Sequence, residues 1–407
     1  MVETLNIAVY HSLHSGGALR TLFEEVRRLS QRHRLALFTL SSAEREFFNL
    51  QPYVQESRIY PFRPGRLFRS PFGRLNQGVR LVDLARLRRL AQRIAAEIDA
   101  AGYDVVLVHP CQYTQSPLVL QFLRTPTVYY CHEPLRRLYE PPVPRPYRRK
   151  SVVRQALDAV DILLLLYQMA LRRADWVSLR SASRVLVNSR FTRENVRRIY
   201  GVEAQVCPHG IDTATFRPLG LLRDRTVLSV GALTPNKGFD SIIEGLAHIP
   251  NRMRPSLVII SNYAEPQERA YLEQLAAARG VEVSFRTGVS NGELVEAYNR
   301  AALTAYTPHR EPLGLVPLES MACGTPVVGV REGGVQETVR HGETGFLVER
   351  RAEALAQAMQ TLLDDPERAR RYGEEGRRYV EREWNWERAV RKLEKHLESL
   401  AGKDGEE

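Results

Sequence analysis

The sequence predicts an α/β fold built as two doubly wound domains facing across a cleft. Strand-like and helix-like segments alternate along most of the 407 residues. The strand-like runs are continuously apolar, as strands of a parallel sheet covered on both faces must be. The pattern restarts after CPHGID (207–212), which gives two such halves rather than one. With 43% hydrophobic and 26% charged residues, the chain can fill two cores, and disordered, collagen-like and coiled-coil classes are excluded.

In the first half, LNIAVY (5–10) is a strand leading through a Gly-rich turn into the amphipathic stretch Leu19–Ser30. RLALFTL (34–40) is the next strand. A long Arg-rich helix, Leu75 to Ala101, precedes DVVLVHP (104–110). TVYYCHEP (127–134), a Pro/Arg-rich loop (141–150), a helix over 153–182 and the strand RVLVNS (184–189) follow. In the second half RTVLSVGAL (225–233) is a strand and Asp240–His248 a helix. SLVIISN (256–262), VEVSFRTG (281–288), LTAYTP (303–308) and TPVVGV (325–330) are further strands. Asn291 is read as the cap of a helix with Glu293 in its first turn. The tail from Pro366 to Leu400 is charged and helical, bending near Trp384 and Trp386. The predicted domains are 1–205, 206–385 and a C-terminal helix, 386–407, packing back on the first.

Charge is distributed unevenly. Up to Gln205 there are 32 Lys+Arg against 17 Asp+Glu, or +15; the remainder has 26 against 30, or −4, for a total of +11. The excess is arginine, dense over 63–93 and 136–150, and it points to an anionic partner for the first half. Cys111, Cys131, Cys207 and Cys323 show no metal-binding spacing and read as buried free thiols of a reducing compartment. The longest apolar run, Val160–Leu171, is short of the ~20 residues of a membrane span and contains Asp161. With no signal-like segment before LNIAVY, the protein is expected in the cytoplasm.

Ligands of doubly wound sheets sit beyond the carboxyl ends of strands, so the loops there hold the candidates. Gly16-Gly17 removes side chains where the chain enters a helix, letting a ligand approach backbone N–H groups. His132 ends a strand with an imidazole suited to a ligand hydroxyl. Lys237-Gly238 places a cation before a helix, as a phosphate requires. The strongest segment is HREPLGLVPLESMACGTPVVG (309–329). There Glu311 stands before a helix, Glu319 lies on that helix eight residues after Glu311, a little over two turns, and Gly314-Leu315 offers N–H groups at its start. Carboxylates accept hydrogen bonds from vicinal sugar hydroxyls.

EPLGLVPLE (311–319) resembles the E-x7-E motif of retaining glycosyltransferases of family 4, whose fold is GT-B, two Rossmann-like domains. SGGALR (15–20), NSRFT (188–192), PHGID (208–212), MACGTPVVG (321–329), EGG (332–334) and HGETGFLV (341–348) agree in kind and order. The resemblance implies sugar transfer from a nucleoside-diphosphate sugar, bound by the second domain, to a glycan or lipid-linked acceptor on the first. Glu319 would hold the ribose, Glu311 the transferred sugar, and Lys237 the diphosphate, aided by Gly314 and Leu315. Gly16 and Gly17 would approach the donor, and His132 would lie by the anomeric centre. Many members carry Arg where this chain has Ala232, so Lys237 acts alone, or Arg310 or another arginine replaces the missing charge. No cofactor and no metal site are expected. An anionic membrane surface is an expected partner of the arginines, at the inner face of the membrane, and nucleic acid is not. A nucleotide-sugar epimerase of the same fold is the alternative.

Overall fold

A computed structural model describes residues 4–14, 16–46, 48–69, 72–148 and 161–402. The first sheet contains β1 (Asn6–Ser12), β2 (Arg34–Leu40), β3 (Glu56–Tyr60), β4 (Val105–Cys111), β5 (Thr127–Cys131), β6 (Arg184–Val187) and β7 (Gln205–Val206). Their order is β3-β2-β1-β4-β5-β6-β7, and every pairing is parallel. The second contains β8 (Asp224–Val230), β9 (Ser256–Ser261), β10 (Val283–Thr287), β11 (Ala301–Tyr306), β12 (Val327–Val330) and β13 (Gly345–Val348). Its order, β10-β9-β8-β11-β12-β13, repeats the first.

Six strands of each sheet therefore run 3-2-1-4-5-6 in its own numbering, the doubly wound order of dinucleotide-binding folds, and the first sheet adds β7 at its edge. Strand order reverses between β1 and β4, and again between β8 and β11. At each reversal the following helices leave to opposite faces, and the loops between them open a crevice. Strands β4, β5 and β12 are buried along their whole length, which explains their unbroken apolar sequences.

Two compact units follow from this. One comprises Met1–Pro142, Lys150–Pro208 and Ala389–Glu407; the other comprises Val143–Arg149 and His209–Arg388. In the first, the end of helix Trp386–Leu400 is tied down by Glu394, which accepts from Arg32 at 2.7 Å and lies 2.8 Å from His33 Nε2. All four cysteines are buried free thiols.

Several local expectations change. The helix predicted over 153–182 is observed as Ile162–Arg180; 153–160 lie outside the described residues. Asp161, read as a charge interrupting an apolar run, is its cap, accepting from Leu164 N at 3.0 Å. Ser290 rather than Asn291 caps helix Asn291–Arg300. Its hydroxyl accepts from Glu293 N while the Glu293 carboxylate accepts from Ser290 N, a reciprocal box that Asn291 cannot make from inside the helix. β3, β7 and β13 were not expected as strands. β7 has two residues, and β3 is an edge strand with one buried side chain, so neither carries a strong apolar run. β13 appeared in the sequence only as part of the motif HGETGFLV.

Candidate functional site

In the second unit the loops after β8 and β11 carry the predicted residues. After β8 the chain makes a 3-10 turn, Pro235–Lys237, closes at Gly238 with φ +65°, and enters helix Phe239–Ala247. A Cβ at Gly238 would stand 2.1 Å from the Thr307 carbonyl oxygen, so only glycine fits this approach. The two loops are laced together there. Thr307 Oγ1 donates to the Gly238 carbonyl at 2.8 Å, and His309 N donates to the Asn236 carbonyl at 2.7 Å. Lys237 Nζ then spans both carboxylate oxygens of Glu311, at 3.1 and 2.9 Å.

The β11 loop is held from behind by Arg350. Its guanidinium donates to the carbonyls of Thr307 (2.7 Å) and Pro308 (2.8 Å) and bidentately to Glu332 (2.7 and 2.9 Å). Burial opposes ionisation of Glu332, but the Arg350 hydrogen bonds prevail and hold its carboxyl below the usual range. Gly334 N completes the support by donating to the Glu311 carbonyl at 2.8 Å. Burial, followed by the Arg350 charge, lowers His309 to about 4, so it is neutral near pH 7. Arg310, offered above as a substitute for the cation missing at Ala232, has φ +48°. An arginine in that left-handed region stores about 1–3 kcal/mol of strain.

Gly314 (φ +93°) caps helix Leu315–Ala322. One turn in, Glu319 is buried, and Tyr298 Oη donates to its Oε2 at 2.9 Å. A carboxylate is acceptor-only, so Tyr298 fixes one oxygen of a group that can recognise only donors. Sequence reasoning missed both Tyr298 and Arg350. Tyr298 lies in helix Asn291–Arg300 within an apolar pattern that reads as core, and Arg350 follows a strand that was not foreseen.

In the first unit Gly16 caps helix Gly17–Leu29 with φ +153°, and the space where its Cβ would stand is open. Ser15 is outside the described residues. The same helix brings Glu25 to 3.0 Å from His109 Nε2 on β4, and His109 Nδ1 lies 3.3 Å from Nε2 of His132, just past β5. His109 stacks on Tyr130 with centroids 5.5 Å apart. The structure thus joins His132 to the Gly17 helix through a buried chain, and joins Lys237, Glu311, Gly314, Leu315 and Glu319 in the second unit.

The chemistry of the first-unit chain is set by burial. It raises Glu25 well above the ordinary carboxyl value, lowers His11 and His109 to about 3, and lowers His132 well below the ordinary imidazole value. The nearby His109 adds to the lowering of His11 and His132. His132 is therefore a neutral hydrogen-bonding imidazole at pH 7, suited to a hydroxyl and unsuited to serve as a cation.

A family model described as Glycosyltransferase Family 4 matches residues 15–215, and one described as Glycosyl transferases group 1 matches residues 213–379. The chain is 34% identical over 331 residues to a D-inositol 3-phosphate glycosyltransferase of Acidothermus cellulolyticus, covering 70% of this chain and 72% of that protein. It is 34% identical over 229 residues to a GDP-mannose-dependent alpha-(1-6)-phosphatidylinositol monomannoside mannosyltransferase of Mycobacterium tuberculosis, covering 50% of this chain and 59% of that one. Among solved structures, sucrose-phosphate synthase of Thermosynechococcus elongatus superposes with a TM-score of 0.73 at 22% identity, over 98% of this chain and 99% of that chain. HepE of Anabaena, solved with UDP and glucose, gives 0.69 at 21% identity, over 97% and 100%. These structures share the GT-B fold.

The buried histidines predict acid lability. Folded, they stay neutral down to about pH 3, whereas unfolded they protonate near 6.5, so the unfolded state binds more protons and stability falls as pH drops from 6.5. Each histidine contributes a slope of about 1.4 kcal/mol per pH unit. Glu25, raised by burial, titrates with the opposite sign and offsets part of this. Urea unfolding of His11→Asn at pH 7 and pH 5 is expected to show a shallower loss than the parent chain; an unchanged loss would exclude His11 as a source.

Proposed function

The chain belongs to the group 1 glycosyltransferases of family 4, and we propose that it moves a sugar, with retention of anomeric configuration, from a nucleoside-diphosphate sugar to a glycan or lipid-linked acceptor. One observation carries the donor reading: a lysine ammonium set on a carboxylate, beside a helix start capped by glycine, with a second carboxylate buried one turn along that helix.

Each part suits one part of such a donor. Glu319, steadied by Tyr298, accepts from the vicinal ribose hydroxyls. Gly314 and Leu315 present N–H groups to the diphosphate. Lys237 turns to the phosphate oxygens and releases Glu311 to accept from hydroxyls of the transferred sugar. The ion pair keeps both side chains in place without a large stake in stability, since partly exposed pairs contribute about 0–1 kcal/mol.

As the glycosidic C–O bond breaks, negative charge gathers on the departing diphosphate. Pre-placed donors lower the barrier because they need no reorganisation at that moment. Lys237 is the cation at the diphosphate. Attack from the face that the leaving group departs, with a leaving phosphate oxygen taking the acceptor's proton, accounts for retention. His132 contacts a sugar or acceptor hydroxyl, and Gly16-Gly17 leaves room at the helix start. HepE was solved with UDP-glucose, which supports a nucleotide-sugar donor here.

An anionic membrane is the proposed partner of the first unit. Leu67, Phe68 and Phe72 are 53%, 50% and 62% exposed and stand among the exposed Arg63, Arg66, Arg69 and Arg74. Helix Ile162–Arg180, which packs on helix Asn76–Ala100, adds the exposed Ile162 and Met169. Apolar side chains ringed by arginine suit an interfacial layer of anionic lipid. Arg145 departs from this expectation, being buried among acids; Arg149 and Lys150 lie outside the described residues. Among the described residues no helix is long and apolar enough to cross a membrane.

Screening UDP-, GDP- and ADP-sugars for nucleotide release, with and without acceptors, tests the donor reading. Lys237→Ala should lower turnover of the active donor by about 10²–10³, the scale of a lost electrostatic stabiliser. Unchanged turnover would remove its role, and a sugar isomer formed without acceptor would favour the epimerase. Sedimentation with phosphatidylserine vesicles tests the membrane. Changing Phe68 and Phe72 to Ser, and Arg66 and Arg69 to Gln, should weaken binding more than tenfold at about 1 kcal/mol per arginine, and equal binding would refute the proposal.

A further inference from the structure

Arg145 belongs to a stretch that the sequence marks as a basic surface loop, yet it is 6% exposed. The short segment Val143–Arg149 is part of the second unit, although the chain before and after it belongs to the first. Every face of the guanidinium is engaged. Nε and Nη2 donate to Glu268 at 3.0 and 2.9 Å, and Nη1 and Nη2 donate to Asp240 at 3.1 and 2.9 Å. Nη2 also reaches the Pro235 carbonyl at 3.3 Å, and the group lies 5.2 Å over the Tyr271 ring. Tyr147 Oη donates to Glu268 as well.

Such a group is a poor way to gain stability, because desolvating buried ions consumes most of their attraction. Its placement offers another reason. Pro235 opens the turn whose last residue is Lys237, and Asp240 sits in the first turn of the helix that follows Gly238. The guanidinium grips the Lys237 turn on both sides, as Arg350 grips the β11 loop that carries Glu311. Lysine could not substitute, since a single ammonium cannot span two carboxylates and a carbonyl in one plane.

We propose that Arg145 is a positioning residue for the diphosphate-binding Lys237, holding the turn Pro235–Lys237 so that Nζ meets the phosphate. This rests on the donor reading above. With its guanidinium taken up by Glu268, Asp240 and the Pro235 carbonyl, Arg145 acts through the Lys237 turn, so its effect should appear in the diphosphate part of binding and be absent from the nucleoside part.

The test is a double-mutant cycle on the full chain. The probes are the nucleoside diphosphate that binds best among UDP, GDP and ADP, and the matching nucleoside. Arg145→Lys should weaken the diphosphate about tenfold, the scale of one charge-assisted contact, and leave the nucleoside unchanged. In a Lys237→Ala background it should cost nothing further. Arg145→Met with Glu268→Gln removes the two fully buried charges together, leaves only the partly exposed Asp240 unpaired, and should repeat the selective loss, with folding checked by circular dichroism. Equal losses for both probes, multiplying effects of Arg145 and Lys237, or no loss at all would overturn the proposal. If Lys237→Ala alone leaves diphosphate binding intact, the donor reading itself fails, an outcome distinct from the others.

Discussion

Lys237 and Glu311 are 74 residues apart in sequence, yet ammonium and carboxylate meet at 2.9 Å. The constraint that joins them is the reversal of strand order between β8 and β11. In a parallel sheet each strand must be followed by a crossover, and the crossovers of neighbouring strands ordinarily leave on the same side. Only at the reversal do two adjacent loops diverge and leave an open space between them. The polar residues of the second unit are arranged around that one gap. Thr307 and Gly238 close its floor, Arg350 braces one loop, Arg145 braces the other, and the helix from Leu315 supplies backbone donors and Glu319.

This arrangement divides the arginines into two populations. Those over 63–93 are exposed, and some pair with carboxylates of their own helix, as Arg86 does with Asp83 and Arg93 with Glu97. Arg145 and Arg350 are spent on carboxylates and carbonyls, and their contribution is to hold loop geometry. A planar fork that satisfies several acceptors at once suits loops, whose carbonyls have no ladder partners. Net charge alone cannot separate these populations, because both raise it equally.

Much of this was legible in sequence because the physical signals are local. Unbroken apolar runs gave β1, β2, β4, β5, β8, β9, β11 and β12, and the restart after CPHGID gave the second sheet. Glu311, Lys237 and His132 stood out because polar residues following apolar strands are the groups a doubly wound sheet presents to a ligand, and Glu319 stood out by its spacing of eight residues from Glu311. What escaped depends on distant partners. Tyr298 looks like a core residue until Glu319 is placed beside it. Glu25 and His109 are unremarkable until β1, its helix and β4 are packed. Arg145 looked like surface charge because nothing near it in sequence announces Glu268, 123 residues away. β7 escaped for a different reason, its length of two residues. Ser290 outcompeted Asn291 as a cap through a reciprocal bond with Glu293, a difference of one residue that composition does not resolve.

The central claim is that the gap between β8 and β11 holds the diphosphate and ribose of a sugar nucleotide. A crystal structure with the bound nucleoside diphosphate addresses it most directly. The account predicts the β-phosphate on Lys237 Nζ, phosphate oxygens facing the N–H groups at Gly314 and Leu315, and the ribose hydroxyls on Glu319. A nucleotide bound elsewhere, or with its phosphates turned away from Lys237, would contradict it.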